Sequence, residues 1–494
     1  MRTECVVRSY PAKSELRPHL RRPSVIRYPH APGFLLSATL LAGIMTTPAV
    51  AQFETRTSMH VVAPEAFAVG DFNGDGKLDV AAASIWLEVM LGKGDGTFRS
   101  PEVYSSVVGP LSMVTADFNR DGKLDLALAT GLNDTVTIML GNGDGTFSEG
   151  PILQAPASPA FVAVGDFNHD GNLDVVAIER GSECGCIAVF LGNGDGTFQS
   201  GVNTPVVDVD PFGLAVGDFN HDGMLDVAVT GSFGTINEVS IWMGNGDGTF
   251  HKGDSYALGS SPASTVSADF NRDGNLDLAV GVTEGYGISV LLGNGDGTFQ
   301  GPVNYSVLFP GQVVVTDFNG DGVPDLAVSS GFDISGVSVF LGNGDGTFQG
   351  SSFYPTARVS GPLATGDFNG DRKPDIIAGD VDGELAFLLL NTGAVAFSPT
   401  TPPTFKSQSI GTTSVPKKVK LSNSSKTALK ISSMKASAQF GASSTCGAKV
   451  APGGACAISV TFSPTSTGTK SGTVTTLDSA SSKPQVIELS GAGT

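Results

Sequence analysis

The chain is short of basic residues, of aromatics other than phenylalanine and of cysteine. Lys and Arg number 29 against 48 Asp and Glu, and there are 2 Trp and 7 Tyr beside 29 Phe. A scarcity of positive charge excludes a nucleic-acid binder, which draws its affinity from cations on phosphates. No apolar run reaches the ~20 residues of a membrane-spanning helix. No stretch after the first fifty residues keeps a helical apolar period over several turns, so almost no helix is expected. Catalytic signatures are absent too: no G-x-S-x-G, no H-E-x-x-H and no Cys/His pairing occurs. What is abundant is glycine, 65 residues of it, which suits many short strands joined by tight turns.

Residues 1–51 read as a leader. The run GFLLSATLLAGIMTTPAVA (33–51) ends in Ala49-Val50-Ala51, the pattern of a secretory h-region and its cleavage site. The basic stretch ahead of it is long. The residues after Arg21-Arg22 fit a twin-arginine signal poorly, and a start codon assigned too far upstream is the plainer reading. The expectation is an exported chain that begins near Gln52 and is secreted or held at the cell surface. Charge is divided unevenly along it. Residues 52–397 carry 12 Lys/Arg against 44 Asp/Glu, whereas 398–494 carry ten Lys and two acids. A domain that acidic calls for cations.

One nonapeptide recurs seven times: DFNGDGKLD (71–79), DFNRDGKLD (117–125), DFNHDGNLD (166–174), DFNHDGMLD (218–226), DFNRDGNLD (269–277), DFNGDGVPD (317–325) and DFNGDRKPD (367–375). A period near 50 residues marks an array or a propeller. Each unit has an alternating apolar run before the nonapeptide, another after it, a third that ends in LGNGDGTF or a close variant, and a fourth that starts at that Phe. Four short strands repeated radially make a propeller blade. The fold class is therefore all-β, a seven-bladed propeller over 52–397. Residues 52–61 align with fourth strands yet precede the first unit. They are expected on the outer edge of blade seven, whose own GDGTF turn is lost, which closes the ring and hides an edge.

Read as ligands, the nonapeptide offers side-chain oxygens at positions 1, 3, 5 and 9 and a backbone carbonyl at the variable position 7. This is hard-oxygen chemistry with the spacing of the first part of an EF-hand loop, so the expected ion is Ca²⁺, up to seven of them. The candidate ligands are Asp71, Asn73, Asp75, Lys77 and Asp79; Asp117, Asn119, Asp121, Lys123 and Asp125; Asp166, Asn168, Asp170, Asn172 and Asp174; Asp218, Asn220, Asp222, Met224 and Asp226; Asp269, Asn271, Asp273, Asn275 and Asp277; Asp317, Asn319, Asp321, Val323 and Asp325; and Asp367, Asn369, Asp371, Lys373 and Asp375. The plainer alternative is an Asx-rich turn that binds nothing. Against it stands the ninth-position Asp, for which a turn alone has no evident use. The seventh loop has Arg372 where the others have Gly and is expected to be the weakest.

The repeats resemble the FG-GAP/VCBS repeats of integrin-α-type seven-bladed propellers, with GDGTF turns in place of the FG and GAP signatures. The resemblance implies the same fold and calcium loops, not a ligand. Calcium loops join strands one and two, and GDGTF turns join strands three and four, so both lie on one face. The divergent loops lie on the other, where binding specificity is expected. They hold Trp86, Asn133, Asp134, Asp208, Asp210, Phe233, Glu284, Tyr286, Phe332 and Asp333, aromatics with carboxylates and amides that suit a glycan or a protein. The alternative for any one of them is loop filler. Trp242 aligns with Phe190 and Phe340 on a strand and is assigned to the core.

Residues 398–403 (SPTTPP) read as a linker, and 404–494 as an Ig-like β-sandwich of about seven short strands. This tail resembles the choice-of-anchor D and ASPM/SPD-2/hydin group, which implies an accessory module for spacing or attachment. Cys446 and Cys456 are expected to pair. Cys184-Gly-Cys186 is open between a strained disulfide, two free thiols and an adventitious metal site. The function expected is a calcium-binding module for binding or adhesion, without catalysis, with an extracellular glycan or protein as partner and a possible place in the cell envelope. The competing expectations are a carbohydrate-active, lyase-like enzyme and a purely structural envelope protein.

Overall fold

The computed structural model describes residues 53–494 apart from 181–184, 207–208, 234–235, 284–286, 308, 332–334, 357–360, 382, 384, 392–394, 399–402, 424–427, 452 and 479–484. The leader, Cys184, Asp208, Glu284, Tyr286, Phe332 and Asp333 lie outside the described residues, as does the side chain of Phe233. Among the described residues almost all regular structure is β-strand, with one short 3-10 turn at Gly131–Asn133.

Blade 1 is built from Ala66–Gly70, Asp79–Ala83, Trp86–Met90 and Glu102–Val108, hydrogen-bonded in that order and antiparallel. Five further four-stranded sheets repeat this order along the chain. The seventh takes its outer strand from the other end: Phe53–His60 pairs antiparallel with Leu385–Asn391. The expected closure is what the chain does. The blades stack face to face, so second strands such as Asp79–Ala83 and Asp125–Thr130 are buried on both sides. That is why they read as unbroken apolar runs rather than alternating ones.

Seven hydrophobic clusters lie at the seven junctions between neighbouring blades. The one between blades 7 and 1 joins Met59 and Val61 of the N-terminal segment to Phe67, Val80, Ile377 and Leu388. Trp242 is buried between blades 3 and 4 as expected.

The second domain is a sandwich of two four-stranded sheets around Val419, Leu421, Phe440, Ile458, Phe462 and Leu489. Phe440 stacks on Phe462 at 4.9 Å. Cys446 and Cys456 form the expected disulfide, with Cα atoms 4.8 Å apart. One boundary moves. Val395–Ser398, read from sequence as the end of the propeller and the start of a linker, pairs with Lys420–Asn423 and is an edge strand of the sandwich. Its V-A-F alternation fits either domain, and only the pairing decides.

Candidate functional site: the nonapeptide loops and the opposite face

All seven nonapeptides share one backbone turn. The first-position carboxylate accepts backbone N–H groups from further along its own loop, as Asp71 does from Asp75 and Gly76 at 3.0 and 2.7 Å. Asn73 Oδ1 also accepts from Asp75 N, and Asp75 Oδ1 from Lys77 N. Position 6 has a left-handed backbone throughout, including Arg372 at φ 67°.

The ninth-position Asp is fully buried in every copy: Asp79, Asp125, Asp174, Asp226, Asp277, Asp325 and Asp375. In blade 1 its Oδ2 accepts from Phe72 N at 2.9 Å and its Oδ1 from Gly92 N at 2.7 Å. Blade 5 repeats this at 2.8 and 2.8 Å from Phe270 and Gly293. This carboxylate ties the first turn of a blade to the third strand. The expectation that a turn has no use for it is therefore corrected: it is a structural latch whether or not an ion is present.

The latch is held under electrostatic tension. Burial, and then the like charges at positions 1 and 5, push Asp174, Asp226 and Asp277 up to about 6, Asp325 to about 7 and Asp375 to about 8. Asp75 goes the other way, lowered chiefly by the hydrogen bond from Lys77, which reaches its Oδ2 at 2.9 Å.

As placed, no three Asp, Glu, His or Cys side chains among the described residues are gathered tightly enough to hold one ion. The loop oxygens are turned onto their own backbone amides instead. The donor set nevertheless suits a hard cation: three carboxylates and an amide oxygen on nine residues, one carboxylate buried against its like neighbours. In blade 4 the Oδ1 of Asp218 is buried with no hydrogen-bond partner, an acceptor that a cation would satisfy.

Position 4 also takes a left-handed backbone, in Arg120, His169, His221 and Arg272 alike. In three copies its side chain reaches the loop of the next blade. Arg120 donates to the Gly171 carbonyl, Arg272 to the Asp321 carbonyl at 3.2 Å, and His221 Nε2 lies 2.8 Å from Asn275 Oδ1. The readable signal was that position 4 is Gly, Arg or His and never apolar.

The GDGTF turns clasp the preceding blade. Gly145 N donates to the carbonyl of Phe72 at 3.0 Å, and Phe147 packs edge-on against the Phe72 ring at 5.3 Å. The contacts between these turns and the nonapeptides put both sets on one face, as expected. The first strands begin on the other face. Residues in or next to all seven first strands, among them Ala66, Ser112, Gly213, Ser264, Gln312 and Pro362, line an axial cavity of about 410 Å³.

Of the expected ligand residues, Trp86 begins its strand 42% exposed. Asn133 and Asp134 are exposed at the neighbouring 3-10 turn. Two features here go beyond the sequence reading, the first by deciding an alternative that it left open. The free thiol of Cys186 is buried and donates to Glu179 Oε2 at 2.7 Å, which removes the disulfide reading for Cys184-Gly-Cys186. Burial pushes Glu179 up to about 7.

The comparisons with known proteins agree with this architecture. The FG-GAP-like repeat matches six times, over 71–128, 117–177, 166–229, 218–280, 269–328 and 317–378. The chain belongs to the FG-GAP-like repeat family. The ASPM-SPD-2-Hydin domain matches residues 394–486, in keeping with the sandwich strand at Val395–Ser398. No curated protein matches the chain. A solved structure described as BBS1N in complex with ARL6DN, soaked with lead, is similar at 14% identity. It covers 69% of this chain and 97% of that one, with a TM-score of 0.50, and shows the propeller fold alone. A propeller of such repeats joined to such a domain has the architecture of a binding or structural module. Among the described residues no helix is long and apolar enough to cross a membrane.

Proposed function

We propose that this is an exported, non-enzymatic binding or adhesion module, stiffened by calcium on one face and recognising an extracellular glycan or protein on the other. The observation that carries the reading is the division of the propeller. The nonapeptide and GDGTF turns repeat one geometry on one face and interlock blade to blade, which is what a scaffold needs. The opposite face has divergent turns, the axial cavity and exposed Trp86. Each loop would hold Ca²⁺ through its first, third, fifth and ninth side chains and the seventh carbonyl, and the ion would relieve the repulsion around the buried Asp. Export rests on the leader pattern alone.

The test is calcium stoichiometry and thermal midpoint of residues 52–494, with Ca²⁺ and with chelator, followed by glycan and envelope-protein arrays in Ca²⁺. Close to seven ions and a midpoint that drops on chelation support the calcium part. No bound ion and no shift would leave the loops as latched turns. Saturable binding that is lost in Trp86→Ala supports the ligand face, and turnover of a polysaccharide on the array would favour the lyase-like reading instead.

A further inference from the structure

Large apolar side chains are exposed together where blades 1 and 2 meet. Ile85 is 52% exposed, Trp86 42%, Val108 40%, Leu132 78% and Ile152 68%. They form one patch. Trp86 pairs with Val108, and Gly109 N donates to the Ile85 carbonyl. A carbon added to Gly109 would stand 2.9 Å from Leu132 Cδ1. Val108, Asn133 and Ile152 line one groove of about 300 Å³. Contiguous exposed apolar surface on a protein of this kind marks an interaction site. Aliphatic side chains around a single indole suit a protein surface better than a sugar.

Charge narrows the partner. In blades 1 and 2 the only basic residues are Lys77, Lys93, Arg99, Arg120 and Lys123, all in or beside the nonapeptide and GDGTF turns. Beside the patch stand Asp134, next to Asn133, and Glu149, which lines the groove with Ile152, both exposed. The complementary surface sets lysines beside an exposed apolar side chain, and the chain has such a segment of its own. In the sandwich Val415 is 83% exposed, ahead of Lys417, Lys418 and Lys420. Lys417 is held by the Thr404 carbonyl at 2.6 Å and lies over the Phe405 ring. Lys418 and Lys420 point outward, alternating with buried Val419 and Leu421, and pair with no carboxylate among the described residues.

We propose that the chain self-associates head to tail, the Val415–Lys420 segment of one copy docking on the blade 1–2 patch of the next. Such a contact is heterologous, so it builds open chains or rings rather than a closed two-fold dimer. The inference deepens the binding-face reading by naming a partner for one sector of that face.

The experiment is sedimentation velocity on residues 52–494 over a wide range of concentration, at low and high salt, with three proteins. One is unaltered, one carries Leu132→Asp in the patch, and one carries Lys418→Glu with Lys420→Glu. All these side chains are exposed, and circular dichroism checks that each variant folds. The unaltered chain should form a concentration-dependent series of oligomers, weakened about tenfold or more by high salt. Each variant alone should sediment as a monomer. An equimolar mixture of the two variants should stop at a dimer, because it has one intact patch and one intact lysine segment per pair. A monomeric unaltered chain, or association that survives both variants, overturns the proposal. A monomer that still binds a glycan or envelope protein keeps the binding reading and removes this inference alone.

Discussion

The side-chain amide of Asn391 donates to the buried carbonyl of Phe318 at 2.7 Å. At six other junctions a glycine N–H of a GDGTF turn fills this role, as Gly346 N does for the Phe270 carbonyl. Blade 7 has no such turn, and a side chain replaces the missing backbone donor. The Asn391 N–H also reaches Asp375 Oδ1 at 2.7 Å, the bond that Gly342 N makes to Asp325 in blade 6. The missing ring is supplied from the far end of the chain, because Phe53 packs edge-on against Phe318 at 5.3 Å.

Asn391→Leu should therefore destabilise the propeller by about 1–3 kcal/mol, since it leaves the buried Phe318 carbonyl without a donor. Phe53→Ala should cost about 3–5 kcal/mol if the site cannot collapse. Denaturant titrations would check both. An unchanged midpoint for either would mean that the closure of blade 7 does not limit unfolding.

The ninth-position latch predicts a loss that does not depend on metal. Asp277→Asn keeps the shape but leaves only one acceptor for the two N–H groups of Phe270 and Gly293. In chelator it should cost about 1–3 kcal/mol near pH 4, and the cost should shrink between about pH 4 and pH 6, where the parent takes on a buried charge that the variant lacks. An equal midpoint for variant and parent in chelator near pH 4 would mean that the carboxylate matters only as an ion ligand.

The ring, its seven blades and the strand that closes it were legible because strand periodicity and a fifty-residue repeat are both written in residue type. The latch was not, because an acceptor for backbone N–H groups and a ligand for a hard cation call for the same Asp. The reach of position 4 was not legible either, for a related reason. Gly, Arg and His share a tolerated left-handed backbone there, whereas the reach of Arg272 to Asp321 depends on how far apart two loops stand. The apolar patch joins Ile85 to Ile152 across two blades, and no local pattern signals that.

Glu179 gives the pH dependence. Burial raises its folded value to about 7, above the ~4.3 of an unfolded glutamate. A raised carboxyl favours the folded state when protonated. Its stabilisation is thus complete below about pH 4 and is lost as pH rises through about 7. Glu179→Gln removes this dependence, so in chelator the variant should gain on the parent between about pH 4 and pH 7 and hold the gain above that. Parallel stability–pH curves for the two proteins would show that Glu179 does not titrate in this range.

The disulfide should act on the sandwich alone. Cys446 and Cys456 are separated by 10 positions, and closing so short a loop is worth about 2–3 kcal/mol. Differential scanning calorimetry with and without reductant should lower one transition and leave the propeller transition in place. A shift of both together would mean that the two domains unfold as one unit.

Arg372 is the sixth residue of the last loop, where the other copies have glycine, and its φ is 67°. A side chain in that region costs about 1–2 kcal/mol. Its N–H still donates to Asp367 Oδ2 at 2.7 Å, so the turn forms despite the strain. Arg372→Gly keeps that bond, relieves the backbone and removes a positive charge from a loop of acids. The strain term acts in chelator, where the variant should be more stable by about 1 kcal/mol. The charge term acts through the ion, so the gain should widen in Ca²⁺, and isothermal titration should find the tightening in the weakest of the sites. A gain in chelator that does not widen in Ca²⁺ would place the seventh loop among turns that bind no ion. No gain in either condition would mean that the arginine makes contacts that offset its backbone.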